Sequence, residues 1–126
     1  MNFAYSDDYQ PPAPMVGITI GSEDTGLDTG LVSAFVDSGA DATIVPKHLL
    51  DRMQAPPTDW AFIRSQWGER RKVLLYGVEI RIDNVTVGGI NVVGDELTDE
   101  IILGRNVLNR LRVLLDGPHK QVQVQP

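Results

Sequence analysis

The sequence of 126 residues predicts an all-β domain with one or two short helices. Apolar residues recur at every second position over short stretches: Val78, Ile80 and Ile82 alternate with Glu79, Arg81 and Asp83, the period of a strand with one buried face. Polar, glycine-bearing or proline-bearing turns separate these stretches. Helix-like patterning is confined to two short places, after Pro46 and after Gly104.

Hydrophobic residues make up 42%, charged ones 22%, and the net charge is −6, which describes one soluble globular domain with a modest core. An acidic chain with scattered Lys and Arg is not expected to bind nucleic acid. The short basic run Arg70-Arg71-Lys72 reads as a solvated strand or turn. With no cysteine there is no disulfide framework, thiol nucleophile or Cys-ligated zinc. No run approaches the ~20 apolar residues of a membrane-spanning helix. The acidic start also lacks the basic-then-apolar order of a secretory signal, so the expectation is a cytoplasmic protein with no membrane partner.

In chain order, residues 1–14 lack apolar periodicity and contain Pro11, Pro12 and Pro14, predicting a flexible N-terminal arm ahead of a domain over 15–126. Residues 15–20 predict a strand, 21–30 a polar turn, and 31–36 a second strand that delivers Asp37. Three triplets compete here: Asp24-Thr25-Gly26, Asp28-Thr29-Gly30 and Asp37-Ser38-Gly39. Only Asp37 ends an apolar run, Ala34-Phe35-Val36, and is followed by Ala40-Asp41. A carboxylate ending a buried strand is costly without a partner, so an acid there is more often functional than structural. The early pair is too short for a calcium loop and lacks the downstream glutamate of an EF-hand, which leaves a hairpin loop.

Beyond Asp41, residues 42–45 are apolar, Pro46 suits a first helical position, and Leu49, Leu50 and Met53 of KHLLDRM share one helix face. His48 reads as a surface residue of that helix. Ser38 is not a nucleophile-elbow serine, because Val36 rather than glycine stands two residues before it. No zinc-hydrolase, phosphate-loop or dinucleotide signature is present, so neither metal nor other cofactor is expected. Residues 60–64 and 72–83 predict a hairpin around the polar tip SQWGE at 65–69. Residues 85–87 and 90–93 predict short strands joined by a Gly88-Gly89 turn, and 95–100 a solvated acidic loop. IILGRNVL at 101–108 predicts a strand running through Gly104 into a helix; residues 112–116, Gly117-Pro118 and QVQVQ predict a closing hairpin.

Together, AFVDSGAD at 34–41 and IILGRN at 101–106 resemble the paired motifs of the retropepsin-like aspartic proteases. In that family Asp-Ser/Thr-Gly-Ala opens the site, and an apolar-apolar-Gly-Arg-Asn/Asp element before a short helix closes it. The resemblance runs from about Met15 to the end and implies a retropepsin-like acid protease barrel with one half-site per chain. It implies Asp37 as the catalytic acid. Ser38 and Gly39 would support the active-site loop, with Ser38 locking the two loops of a dimer together. Ala40 and Asp41, with Trp67 and Gly68 of the flap-like tip, would bind substrate, and Asp41 with Arg105 would form a partly buried structural pair. Two departures stand out: SQWGE has one glycine where retroviral flaps are glycine-rich, and QVQVQ extends past the retroviral pattern. The initial Met and the lack of polyprotein flanks suggest a stand-alone cellular member.

Peptide hydrolysis without metal or covalent nucleophile can use two facing aspartates, one ionised to deprotonate water and one protonated to polarise the carbonyl. One chain supplies one. The expectation is therefore a homodimeric aspartic endopeptidase acting on a peptide or protein substrate, joined through edge-like terminal strands, with activity falling at both pH extremes around a mildly acidic to near-neutral optimum. The alternative is a non-catalytic dimerisation or peptide-binding module of the same fold.

Overall fold

Alternating burial carries most of the chain into strands. The computed structural model, which describes residues 1–64 and 67–125, runs β1 (Asn2–Ala4), β2 (Met15–Gly21), β3 (Val32–Val36), β4 (Ile44–Pro46), α1 (Lys47–Met53), β5 (Pro57–Arg64), β6 (Arg70–Ile82), β7 (Val85–Asp95), β8 (Ile101–Leu103), α2 (Arg105–Leu108), β9 (Arg112–Asp116) and β10 (Gln121–Gln125). The all-β class with two short helices is as the sequence predicts.

Seven strands form one sheet in the order β2-β3-β8-β4-β7-β6-β5. It closes into a barrel because β2 pairs first with β3, over residues 15–18, and then with β6, over 19–21. Val16, Ile18 and Ile20 of β2 and Tyr76, Val78, Ile80 and Ile82 of β6 point into the interior, where they join Ala34, Val45, Leu50, Leu103 and Val107. Burying each large aliphatic side chain stabilises the fold by about 1.5–3 kcal/mol. Pro46 caps α1 from outside, one position earlier than predicted, and the helix stops where Gln54 turns left-handed with φ 55°. Its inward face is Leu50 and Met53.

The hairpin of β5 and β6 projects from this barrel. Val73 and then every second residue of β6 from Tyr76 to Ile82 are buried, whereas Arg70, Arg71 and Lys72 near its tip are exposed. Ser65 and Gln66 of the predicted SQWGE tip lie outside the described residues.

Three expectations are overturned. Gly88-Gly89 makes no turn between two strands: β7 is continuous, and the register with β6 shifts between Val78↔Ile90 and Ile80↔Val87, leaving both glycines opposite Glu79. This is a bulge, and Gly89 suits it because φ is +65°, a conformation that costs glycine little.

Residues 1–14 are not a flexible arm either. Asn2, Phe3 and Ala4 pair with Gln123, Val122 and Gln121, while Phe3 and Tyr5 pack against the core. Further on, Ser6 and Ala13 exchange backbone hydrogen bonds of 2.8 and 3.0 Å, and the Tyr9 ring meets Phe35 edge-on at 4.6 Å. The Tyr9 hydroxyl donates to Glu100 at 3.2 Å. Apolar anchors outweigh the extended preference of the prolines. QVQVQ is correspondingly no edge: β10 lies between β1 and β9 in a separate three-stranded sheet, with Val122 and Val124 buried.

Candidate active site

The barrel brings the two sequence motifs side by side. β3 and β8 are parallel neighbours, with Ala34↔Ile101, Phe35↔Ile102 and Val36↔Leu103 in register, so both strands end at the same level. The Asp37 amide then donates to the Leu103 carbonyl at 3.1 Å. Past this point the chain turns: the Ala40 amide donates to the Asp37 carbonyl at 3.2 Å, and the Gly39 amide donates to Asp37 Oδ1 at 2.9 Å. The carboxylate is thus oriented by its own loop. It stands exposed on this single chain, although the sequence suggested a buried strand end. The strand is in the sheet; the acid projects beyond it.

Arg105 braces this loop from the α2 side. Its amide donates to the Ala40 carbonyl at 2.8 Å, its Nη1 to the Ser38 carbonyl at 2.9 Å, and its Nη2 to Asp41 Oδ1. The predicted Asp41–Arg105 pair therefore forms, but not in the partly buried setting expected: the Asp41 side chain is 89% exposed and that of Arg105 44%. Ser38 contributes its carbonyl, and its exposed hydroxyl has no hydrogen-bond partner among the described residues.

Gly104 is required by close approach. A Cβ at this position would lie 2.3 Å from the Ala42 carbonyl oxygen and 2.9 Å from that of Ala40, closer than non-bonded atoms tolerate. Only glycine lets the two motif segments touch.

The sequence reading missed Thr43. It is fully buried; its hydroxyl donates to Asn106 Oδ1 at 2.8 Å and accepts from the Gly104 amide at 3.1 Å. Asn106 in turn donates to the Asn91 carbonyl at 3.0 Å, tying α2 to β7. A threonine inside the apolar run Ala42-Thr43-Ile44-Val45 was the available signal, since a buried hydroxyl needs partners.

The remaining candidates sit apart from this bonded cluster. Trp67 is 82% exposed beside Gly68, whose φ is +84°. At the hairpin base, Trp60, Lys72 and Leu74 line a groove together with Asp95, Glu96 and Leu97. The early triplets brace the hairpin loop and its surroundings: Asp28 Oδ1 accepts from the Gly30 amide at 2.8 Å, Thr29 Oγ1 accepts from the Ile20 amide at 3.0 Å, and Thr25 Oγ1 donates to the Met53 carbonyl at 2.8 Å. His48 lies on the outside of α1, its Nε2 3.4 Å from Asp99. No group of three or more metal-ligating side chains gathers among the described residues.

Residues 27–110, spanning both motifs, match the family model described as "gag-polyprotein putative aspartyl protease". The curated proteins show no match. Among solved structures, the fold is similar to a retropepsin-like aspartic protease from Rickettsia conorii, with 13% identity, TM-score 0.63, and coverage of 100% of this chain and 92% of that one. It is also similar to the EIAV protease in complex with an inhibitor, at 15% identity and TM-score 0.62, covering 86% of this chain and 93% of that one. The retroviral protease-like domain of Ddi1 from Leishmania major aligns at 19% identity and TM-score 0.51, covering 90% of this chain and 95% of that one. With the family model spanning most of the sequence and a retropepsin-like barrel around the Asp-Ser-Gly turn, the chain belongs to the retropepsin-like aspartic proteases.

Proposed function

We propose that this protein is an aspartic endopeptidase that works as a homodimer, with Asp37 of each chain facing the other across a two-fold axis. The observation that carries this reading is the Asp37 carboxylate: fixed at Oδ1 by the Gly39 amide, it projects from a braced loop, and its Oδ2 has no hydrogen-bond partner among the described residues. Two such groups brought together hold one proton between them. The ionised member takes a proton from water while the protonated member polarises the scissile carbonyl, and the new tetrahedral centre collapses with the proton passed to the leaving amine.

A dimer is also supported by the surface. The sheet of β1, β10 and β9 leaves Leu114 and Leu115 half-exposed, and the unbonded Ser38 hydroxyl is free to bond across the axis. Ala40 and Asp41 would line the cleft floor, and the hairpin tip with Trp67 and Gly68 would close over the peptide and exclude water.

Cleavage of an unfolded protein by the wild type and by Asp37→Asn, paired with sedimentation, tests the proposal. Expected are a dimer and loss of activity by about 10²–10⁴-fold in the variant. A monomer that retains activity, or an active variant, overturns it. A dimer that binds peptide but cleaves nothing would instead identify a binding module.

A further inference from the structure

The basic run that the sequence reading treated as a solvated strand has an ordered partner set. Of the Lys and Arg residues in this acidic chain, four, Arg64, Arg70, Arg71 and Lys72, fall between Phe62 and Val73, against the single carboxylate of Glu69. The register Trp60↔Leu74, Phe62↔Lys72 and Arg64↔Arg70 puts these six residues on one face of the hairpin, since directly opposed residues share a face. Two cations reach diagonally across it onto aromatic rings. Lys72 Nζ lies 4.5 Å from the centre of the Trp60 ring, and the Arg70 guanidinium 4.6 Å from that of Phe62.

This arrangement fixes the cations without neutralising them. A ring face attracts a cation but accepts few of its hydrogen bonds, so the outward N–H groups remain available to a carboxylate. Among the described residues neither Arg70 nor Lys72 has an ion-pair partner; Arg71, on the opposite face, has Asp95 at 3.7 Å. The rings themselves are more than half exposed, Trp60 at 55% and Phe62 at 62%.

We infer that this hairpin face selects peptide segments that carry acidic side chains beside apolar ones, the carboxylates meeting Arg70 and Lys72 and the apolar groups lying on Trp60, Leu74 and Leu97, which lines the same groove. The identity of the bound chain as a peptide rests on the protease reading above. Charge decides against a nucleic acid: a strand with one phosphate per nucleotide would bring phosphates against Asp95 and Glu96, which line the same groove, whereas a peptide can direct isolated carboxylates to Arg70 and Lys72 and apolar groups elsewhere. Because the rings already hold the cations in place, less side-chain entropy is lost on binding.

The test uses the Asp37→Asn chain, so that turnover does not obscure binding, and fluorescence anisotropy with three labelled probes. These are a short peptide with Glu and Leu alternating, the same peptide with Lys for Glu, and an oligothymidine of equal length. Expected is binding of the Glu peptide about tenfold or more tighter than the Lys peptide, a preference that weakens with added salt and disappears in Arg70→Gln/Lys72→Gln. Equal affinity for the two peptides, no measurable peptide binding, or tighter binding of the oligothymidine overturns the inference. Wild-type cleavage is scored separately: an acidic preference without cleavage removes the protease reading and leaves this one, while cleavage without the preference does the reverse.

Discussion

Arg105 joins Asp41 with one guanidinium nitrogen and the Ser38 carbonyl with the other, so a residue of the second motif spans the turn that follows Asp37. Arginine suits this position because its planar fork reaches two acceptors at once, whereas lysine is a single point donor. Arg105→Lys should therefore leave stability nearly intact, since an exposed ion pair contributes only about 0–1 kcal/mol. Proteolysis should fall by about 10²-fold through misplacement of the loop. Comparing melting temperature with kcat/KM checks this; equal activity of the variant would show that the turn holds without the brace.

Gly104→Ala should act on folding itself. Its Cβ would meet backbone carbonyls, which cannot rotate away as a side chain can. Overpacking of this kind costs about 1–3 kcal/mol. Urea unfolding should show a lower midpoint at an unchanged slope.

Thr43→Val keeps the shape and removes the hydroxyl. The Gly104 amide, which is buried, then loses its acceptor at a cost of about 1–3 kcal/mol, and the part-buried Asn106 Oδ1 loses its donor. Thr43→Ser should recover most of the loss, and a fully stable Thr43→Val chain would contradict the bonding described.

Tyr9 links its loop to the acidic loop before β8. Partial burial first, then the hydrogen bond and negative charge of Glu100, raise its phenol above the ordinary tyrosine value. A group whose folded pKa is raised binds its proton more tightly in the folded state, so its contribution is complete below the ordinary tyrosine range and is lost as pH climbs through the folded value. Tyrosinate absorbance should show a late-titrating component that Tyr9→Phe removes. The stabilities of the two chains should converge at high alkalinity.

Activity should trace a bell against pH. Acid protonates both members of an aspartate pair and removes the base, and alkali ionises both and removes the acid, so turnover needs the singly protonated pair. A cleavage assay across pH checks this, and a rate that keeps climbing into alkali would sink the paired-aspartate mechanism.

The motifs were legible where one local pattern had one physical reading. AFVDSGAD and IILGRN each join a strand to a tight turn, and KHLLDRM gave the helix Lys47–Met53, with only Pro46 misplaced at its start. Gly88-Gly89 was misread because a glycine pair marks a turn and a bulge alike; only the partner strand, with Glu79 opposite both, tells them apart. Asn2–Ala4 was missed because three residues carry no periodicity and their pairing partners lie at the far end of the chain. The Asp41–Arg105 contact could be anticipated from the motifs, but its exposure depends on what surrounds it and not on the two residues.

The pairing of β1 with β10 has a kinetic meaning. Asn2 opposes Gln123, and the Met1 carbonyl accepts from the Val124 amide at 3.0 Å, so the sheet is closed by contacts spanning almost the full chain. Such contacts carry the largest loop-closure cost and form late. On the ribosome, Asn2–Ala4 has no partner until Gln121–Gln123 have left the exit tunnel, so a shorter nascent chain cannot complete this sheet. Any association made through it must wait until those residues have emerged, and a dimeric protease built on it would stay silent until then.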